Sequence, residues 1–153
     1  MSARKLISPA IVLLVFLLDR LTKGLVLEKL YFASREVLPF FSLHYVENTG
    51  VSFGMFRDNN AFFIVFSAVL ICALMIFRRR LAAHGAAAEA GAALVLGGAL
   101  GNLYDRIAYG HVVDFIDLSF FPAVFNVADA SITVGAVFLA FGMKDEKKAQ
   151  PAD

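Results

Sequence analysis

The chain has 153 residues, a formal net charge of +1, 59% hydrophobic residues and a mean hydropathy of +0.73. Soluble domains are about 45–50% apolar, so this composition, with 16 Phe and no Trp, argues against an ordinary water-soluble domain and for a membrane protein. The near-neutral charge, without basic repeats, gives no footing for nucleic-acid binding, and the length suits one domain over 1–153.

A spanning helix needs about 20 mostly apolar residues, and four segments predict one each: 6–27, 61–77, 86–104 and 125–143. The fold class expected is therefore a membrane protein, mainly α, with four transmembrane helices. The first segment carries Asp19, Arg20 and Lys23 in its second half. It shows no small-residue cleavage site after Leu18, only a charged helical continuation, so it reads as a retained span and not as a signal peptide. The loop 28–60 follows. Within it Phe41-Ser42-Leu43-His44-Tyr45 alternates apolar with polar, Glu47-Asn48-Thr49-Gly50 is a turn signal, and Val51-Ser52-Phe53 alternates again. A hairpin or small β-sheet made from this first outer loop is expected. The second span is uncharged, and its lone Cys72 reads as a buried small hydrophobe that supports neither a disulfide nor a thiol metal site. The third has Glu89 near its start and Gly97-Gly98-Ala99-Leu100-Gly101 further on, where glycines four apart allow a neighbouring helix to come close. After the loop 105–124, the fourth span begins with Asp129 one turn in. The polar tail 144–153 reads as a frayed end.

Lys and Arg in short loops set orientation. Arg4 and Lys5, Arg78 to Arg80, and Lys144, Lys147 and Lys148 all fall on one side of a four-span chain, which puts both termini in the cytoplasm. Arg35, Arg57 and Arg106 fall on the other side. Tyr31, Tyr45, Tyr104 and Tyr109 lie in or beside the two outer loops, as an interfacial aromatic belt would.

The unusual polar residues gather at the outer ends of these spans. Asp19 and Lys23 share a helix face and can pair. Asn102, Asp105 and Arg106 end the third span, Asn126 and Asp129 start the fourth, and Asp114 and Asp117 lie in the loop between. One polar cluster at the outer edge of the bilayer is predicted. Each member also has a plainer reading. Asp19 with Lys23 can be a structural ion pair, and Asp105 with Arg106 an interfacial one. Asn126 can be an N-cap with Asp129 as a first-turn acid, and Asp117 a solvated loop acid. His44 and His111 read as surface or turn residues and His84 as solvated. No His or Cys spacing suits a metal.

Two carboxylates sharing one site cannot both ionise cheaply, so one keeps a proton while the other stays charged. The charged one can take a proton from water, and the protonated one can polarise an amide carbonyl and then protonate the leaving nitrogen. This is the aspartic-peptidase arrangement. No Gly-x-Ser-x-Gly or Cys-with-His pattern offers another nucleophile. On composition and spacing, several of the acids could form such a pair, and the cluster could equally serve a small ion or proton carrier.

Four blocks then carry a resemblance. "DRLTK" at 19–23, "ENTGVSFGMF" at 47–56, "GNLYDR" at 101–106 with "VVDFIDL" at 112–118, and "FNVADASI" at 125–132 occur in order over nearly the whole chain. Together they resemble the signal peptidase II family, membrane aspartic peptidases of bacteria. The resemblance implies an endopeptidase of the cytoplasmic (inner) membrane, active near its extracytoplasmic face. It would cut diacylglyceryl-modified prolipoproteins just before the lipidated cysteine, with no cofactor, no metal and no obligatory protein partner, membrane lipid being its surroundings. It assigns Asp114 and Asp129 as the catalytic pair. Asn48, Asn102, Arg106 and Asn126 would line the substrate or the acids, Asp19, Lys23 and Asp105 would hold the helices and sheet, and Gly50 would permit the loop's turn. Asp117 is expected only to flank the site. The absence of Trp from 119–125 departs from many members.

Overall fold

The computed structural model describes residues 4–31, 33–50 and 59–149. Among them are four helices, α1 (Arg4–Lys29), α2 (Asn60–Ala83), α3 (Ala86–Ala108) and α4 (Val127–Ala149), and three strands, β1 (Ser34–Leu38), β2 (Phe41–Asn48) and β3 (Val112–Leu118). The helices coincide with the four expected segments and outrun them at most ends. Polar Lys and Glu are good helix formers, which accounts for α4 running to Ala149 where a frayed tail from 144 is expected.

The helix α3 is the centre of the bundle and packs on each of the other three. Its small residues make this possible. A Cβ on Gly101 would lie 2.5 Å from Asp19 Oδ2 of α1, and one on Gly98 would lie 2.5 Å from the Ala128 carbonyl oxygen of α4. The two glycines four apart, Gly97 and Gly101, thus both face α1.

The bundle's outer surface is apolar. Leu14, Leu17 and Leu21 of α1, Val65, Val69 and Ile76 of α2, and Val137 and Phe141 of α4 are all exposed, while Phe63 is the buried residue of α2. Cys72 is exposed as well, against expectation; α2 touches one helix only, so most of its surface faces outward. By length and composition α2 and α3 are apolar enough to cross a membrane, and α4 contains a shorter apolar stretch, Val127–Met143.

The three strands form one antiparallel sheet in the order β1-β2-β3. The hairpin turns at Pro39-Phe40, between Leu38 and its partner Phe41, where proline presets φ for a turn. The expected turn at Glu47–Gly50 lies one strand later than the hairpin. Glu47 and Asn48 still belong to β2, and the bend begins as the Gly50 N–H donates to Asn48 Oδ1 at 3.0 Å. The alternating stretch 51–53 is outside the described residues. The third strand comes instead from the second loop, so Asp114 and Asp117 lie on a strand and not in a loop. Gly110, at φ +82°, follows the last turn of α3 and lets the chain reverse into β3. The sheet packs on the end of α1 through Val26, Val113 and Phe115, joined by Leu27, Leu30 and Leu43.

Candidate active site

Where the ends of α1, α3 and α4 meet the sheet, six polar side chains are buried: Asp19, Lys23, Asp105, Arg106, Asp114 and Asn126. Isolated charges cannot remain there, so each must find a partner. They divide into two connected groups.

The first group is ionic. Lys23 Nζ, 1% exposed, lies 3.0 Å from Asp19 Oδ2 and 2.8 Å from Asp105 Oδ2. Arg20 closes the ring, with Nη2 2.9 Å from Asp19 Oδ2 and 2.6 Å from Asp105 Oδ1, its guanidinium over the Tyr104 ring at 4.5 Å. Two acids therefore face two cations. The same two carboxylates also tie other elements down. Ala128 N–H at the start of α4 donates to Asp19 Oδ1 at 3.1 Å, and Val113 N–H on β3 donates to Asp105 Oδ2 at 3.1 Å. Asp105 and Arg106 are sequence neighbours but not each other's partners, so the expected interfacial pair is absent. Arg106 Nη2 donates to the Gly50 carbonyl at 3.1 Å, and its guanidinium lies 4.4 Å over Phe63.

The second group is made of acids and amides. Asp114 Oδ1 accepts from Asn126 Nδ2 at 2.6 Å, and its Oδ2 accepts from Asn48 Nδ2 at 2.7 Å. Asp129 Oδ1 accepts from Asn102 Nδ2 at 2.8 Å, and its Oδ2 accepts from the Asn126 backbone N–H at 3.3 Å. Asn126 Oδ1 in turn accepts from Asp129 N–H at 2.9 Å. This is a reciprocal capping box at the start of α4, so the plain reading of Asn126 as a cap and its place beside both acids hold together. Lys23 reaches this group only through Asn102, whose Oδ1 accepts from Nζ at 2.9 Å. Among the described residues neither Asp114 nor Asp129 makes an ion pair.

Burial first, and the charge of Asp129 second, raise the Asp114 carboxyl from the ordinary carboxylate range to about 7; the amides of Asn48 and Asn126 oppose this. A carboxyl in that position holds or yields a proton near neutrality.

The ten residues to which the resemblance gives a role in the site thus join one network: Asp19, Lys23, Asn48, Gly50, Asn102, Asp105, Arg106, Asp114, Asn126 and Asp129. Asp117 stays outside, partly exposed, its Oδ2 3.6 Å from His44 Nδ1. His111 Nε2 lies 3.2 Å from the Tyr45 hydroxyl, and His84 caps the end of α2. Sequence reading missed Arg20 and Asn60. Arg20 sits inside the first block and was legible as a second cation facing two acids. Asn60 donates to the Arg106 carbonyl at 3.0 Å across 46 residues, and nothing local announces it. Among the described residues no group of His, Cys, Asp and Glu could hold a metal ion.

Residues 11–144 match the family described as signal peptidase (SPase) II. The chain is 45% identical over 142 residues to the lipoprotein signal peptidase of Caldanaerobacter subterraneus subsp. tengcongensis, covering 87% of this chain and 92% of that one. It is 39% identical over 142 residues to that of Halothermothrix orenii, covering 90% and 95%. Its fold is similar to a solved bacterial membrane enzyme with a TM-score of 0.86 at 28% identity, over 95% of this chain and 92% of that one.

Proposed function

The chain belongs to the signal peptidase (SPase) II family, and on that premise we propose that it removes signal peptides from prolipoproteins with Asp114 and Asp129 as an aspartic pair. One observation carries the assignment. Of the four buried or half-buried acids in the network, Asp19 and Asp105 are tied to cations. Asp114 and Asp129 are held by neutral amides and share Asn126. A salt-bridged carboxylate is locked in its charged form, whereas two amide-held carboxyls in one site can share a proton and trade it.

The chemistry follows. A water between the two acids gives its proton to the charged one as its oxygen attacks the carbonyl preceding the lipidated cysteine. The protonated acid donates to that carbonyl's oxygen. When the tetrahedral carbon collapses, a proton passes to the cysteine nitrogen and the C–N bond breaks, leaving a free carboxyl on the signal peptide and a free amine on the cysteine. Arg106 fits a substrate-lining role, because its Nη1 is buried without a hydrogen-bond partner. Asn48, Gly50, Asn102 and Asn126 surround the acids. Asp19, Lys23 and Asp105 are positioning residues that fix α1, α3, α4 and β3.

In this reading all four helices cross the cytoplasmic membrane of a bacterium as one domain, with the basic ends inside and the sheet outside. The exposed apolar surfaces of α1, α2 and α4 support it, because surface this greasy calls for lipid. A diacylglyceryl-modified substrate would keep its acyl chains and signal helix in hydrocarbon while the scissile bond reaches the acids at the rim. The test is cleavage of diacylglyceryl-modified preprotein by purified protein. Asp114→Asn and Asp129→Asn are expected to fold and to lose cleavage, while Asp117→Asn keeps most of it. Full processing by either of the first two, or none by the third, would show that the wrong acids were chosen.

A further inference from the structure

Between the end of α1 and the sheet lies a second feature. Phe115 borders an open cleft of about 240 Å³ between the end of α1 and the sheet. Leu25, Leu43 and Phe115 give the cleft an apolar lining, and Lys29 and Arg35 also line it. Both cations are exposed, and among the described residues neither makes an ion pair or a side-chain hydrogen bond. The neighbouring acids do not compensate them. Glu28 and Glu36 do not line the cleft, and Glu36 follows Arg35 on β1 and so leaves the other face.

The approach to this cleft is also apolar. Leu14, Leu18, Leu21 and Leu25 are exposed at 58%, 43%, 60% and 43%. Their spacing of four, three and four residues places them on one face of α1, and Lys29 follows four residues later on the same face. From Leu14 to Leu25 the helix rises about 16 Å at 1.5 Å per residue, close to half of a hydrocarbon core about 30 Å thick. A one-leaflet stripe of leucines therefore ends at a cleft bearing two uncompensated cations.

We propose that this cleft binds an anionic phospholipid of the outer leaflet, with one acyl chain along the leucine stripe and its phosphate between Lys29 and Arg35. The inference rests on the membrane placement of α1 and is independent of the peptidase chemistry. The substrate's own lipid does not suit the cleft. A diacylglyceryl thioether carries no charge for two cations. A lipid here would press on Val26 of α1 and Phe115 of β3, which share one core cluster, and so would brace the strand that carries Asp114.

The test measures lipid retained by the full chain, purified in detergent and offered phosphatidylglycerol or phosphatidylcholine of identical acyl composition, by native mass spectrometry. Wild type is expected to keep one phosphatidylglycerol in preference to phosphatidylcholine. The variant K29Q/R35Q, changed only at exposed positions, should lose that retention about tenfold, as two phosphate-facing cations would. Leu25→Trp, which fills the cleft and leaves both cations, should lose it too. Asp114→Asn should retain the lipid while losing cleavage, which separates this site from the peptidase reading. Equal retention of the two lipids by wild type, or unchanged retention by either K29Q/R35Q or Leu25→Trp, would overturn the proposal.

Discussion

Asn126 Nδ2 lies 2.6 Å from Asp114 Oδ1, a contact that ties the first residue before α4 to the middle of β3. The same residue exchanges two hydrogen bonds with Asp129, so one residue holds both acids, Asp114 through its side-chain amide and Asp129 through its backbone N–H. Asn126→Ala removes the cap of α4, costing about 1 kcal/mol of stability, and frees the Asp114 carboxyl from one of its two amide donors, while the backbone N–H at 126 still reaches Asp129. Cleavage should fall about 100-fold, as expected when reacting groups lose their alignment, with the loss in kcat and not in KM. A variant with normal kcat would mean that Asn126 only caps the helix.

The pH dependence has a defined sign. The folded protein holds the Asp114 proton up to about 7, whereas an unfolded chain releases it near 4. Between those values the folded state binds more protons, so stability falls as pH rises through this window and the penalty is absent below it. Thermal unfolding in detergent should show that slope in wild type and a weaker one in Asp114→Asn. Cleavage should decline as pH rises beyond about 7, where the pair's shared proton leaves. A rate still climbing well above that pH would contradict the shared-proton scheme.

Lys23→Met leaves two buried carboxylates, Asp19 and Asp105, with Arg20 as their remaining cation. Breaking a buried ion pair from one side costs about 3–5 kcal/mol. The loss should be visible as a lower unfolding temperature in detergent. Adding Asp105→Asn to Lys23→Met should recover part of it, because the two residues are in direct contact and their effects do not add.

Two glycines make a matched pair. Gly101→Ala drives a Cβ to 2.5 Å from Asp19 Oδ2 and should destabilise by about 1–3 kcal/mol. Gly24→Ala, inside α1, meets nothing within 4 Å and should be neutral or stabilising by up to about 1 kcal/mol. The same unfolding measurement checks both, and equal effects would show that α1 and α3 are not packed as closely at Gly101 as at a crossing of small residues.

Much of the fold was legible because helix formation in apolar segments is local. Apolar length marked α1 to α4, glycine spacing marked the face of α3 that meets α1, and the motif blocks named ten residues that join one network. What the sequence could not decide was non-local. Strand pairing depends on which segments the bundle brings side by side, so β3, with its β-branched "VVDFIDL", read as loop, and the hairpin turn lay at Pro39-Phe40 and not at Glu47–Gly50. Cys72 was misread for a related reason: in an apolar bundle hydrophobicity does not signal burial, and the outward face of α2 is as apolar as any core. The chemistry divides the same way. That Asp19, Asp105 and Asp129 lie near helix ends, with Asp114 in the segment between the last two, is a property of the sequence alone. That Arg20 and Lys23 take Asp19 and Asp105, leaving Asp114 and Asp129 to amides, is decided by tertiary packing, because a buried carboxylate's charge state depends on which partners the fold carries within hydrogen-bond reach.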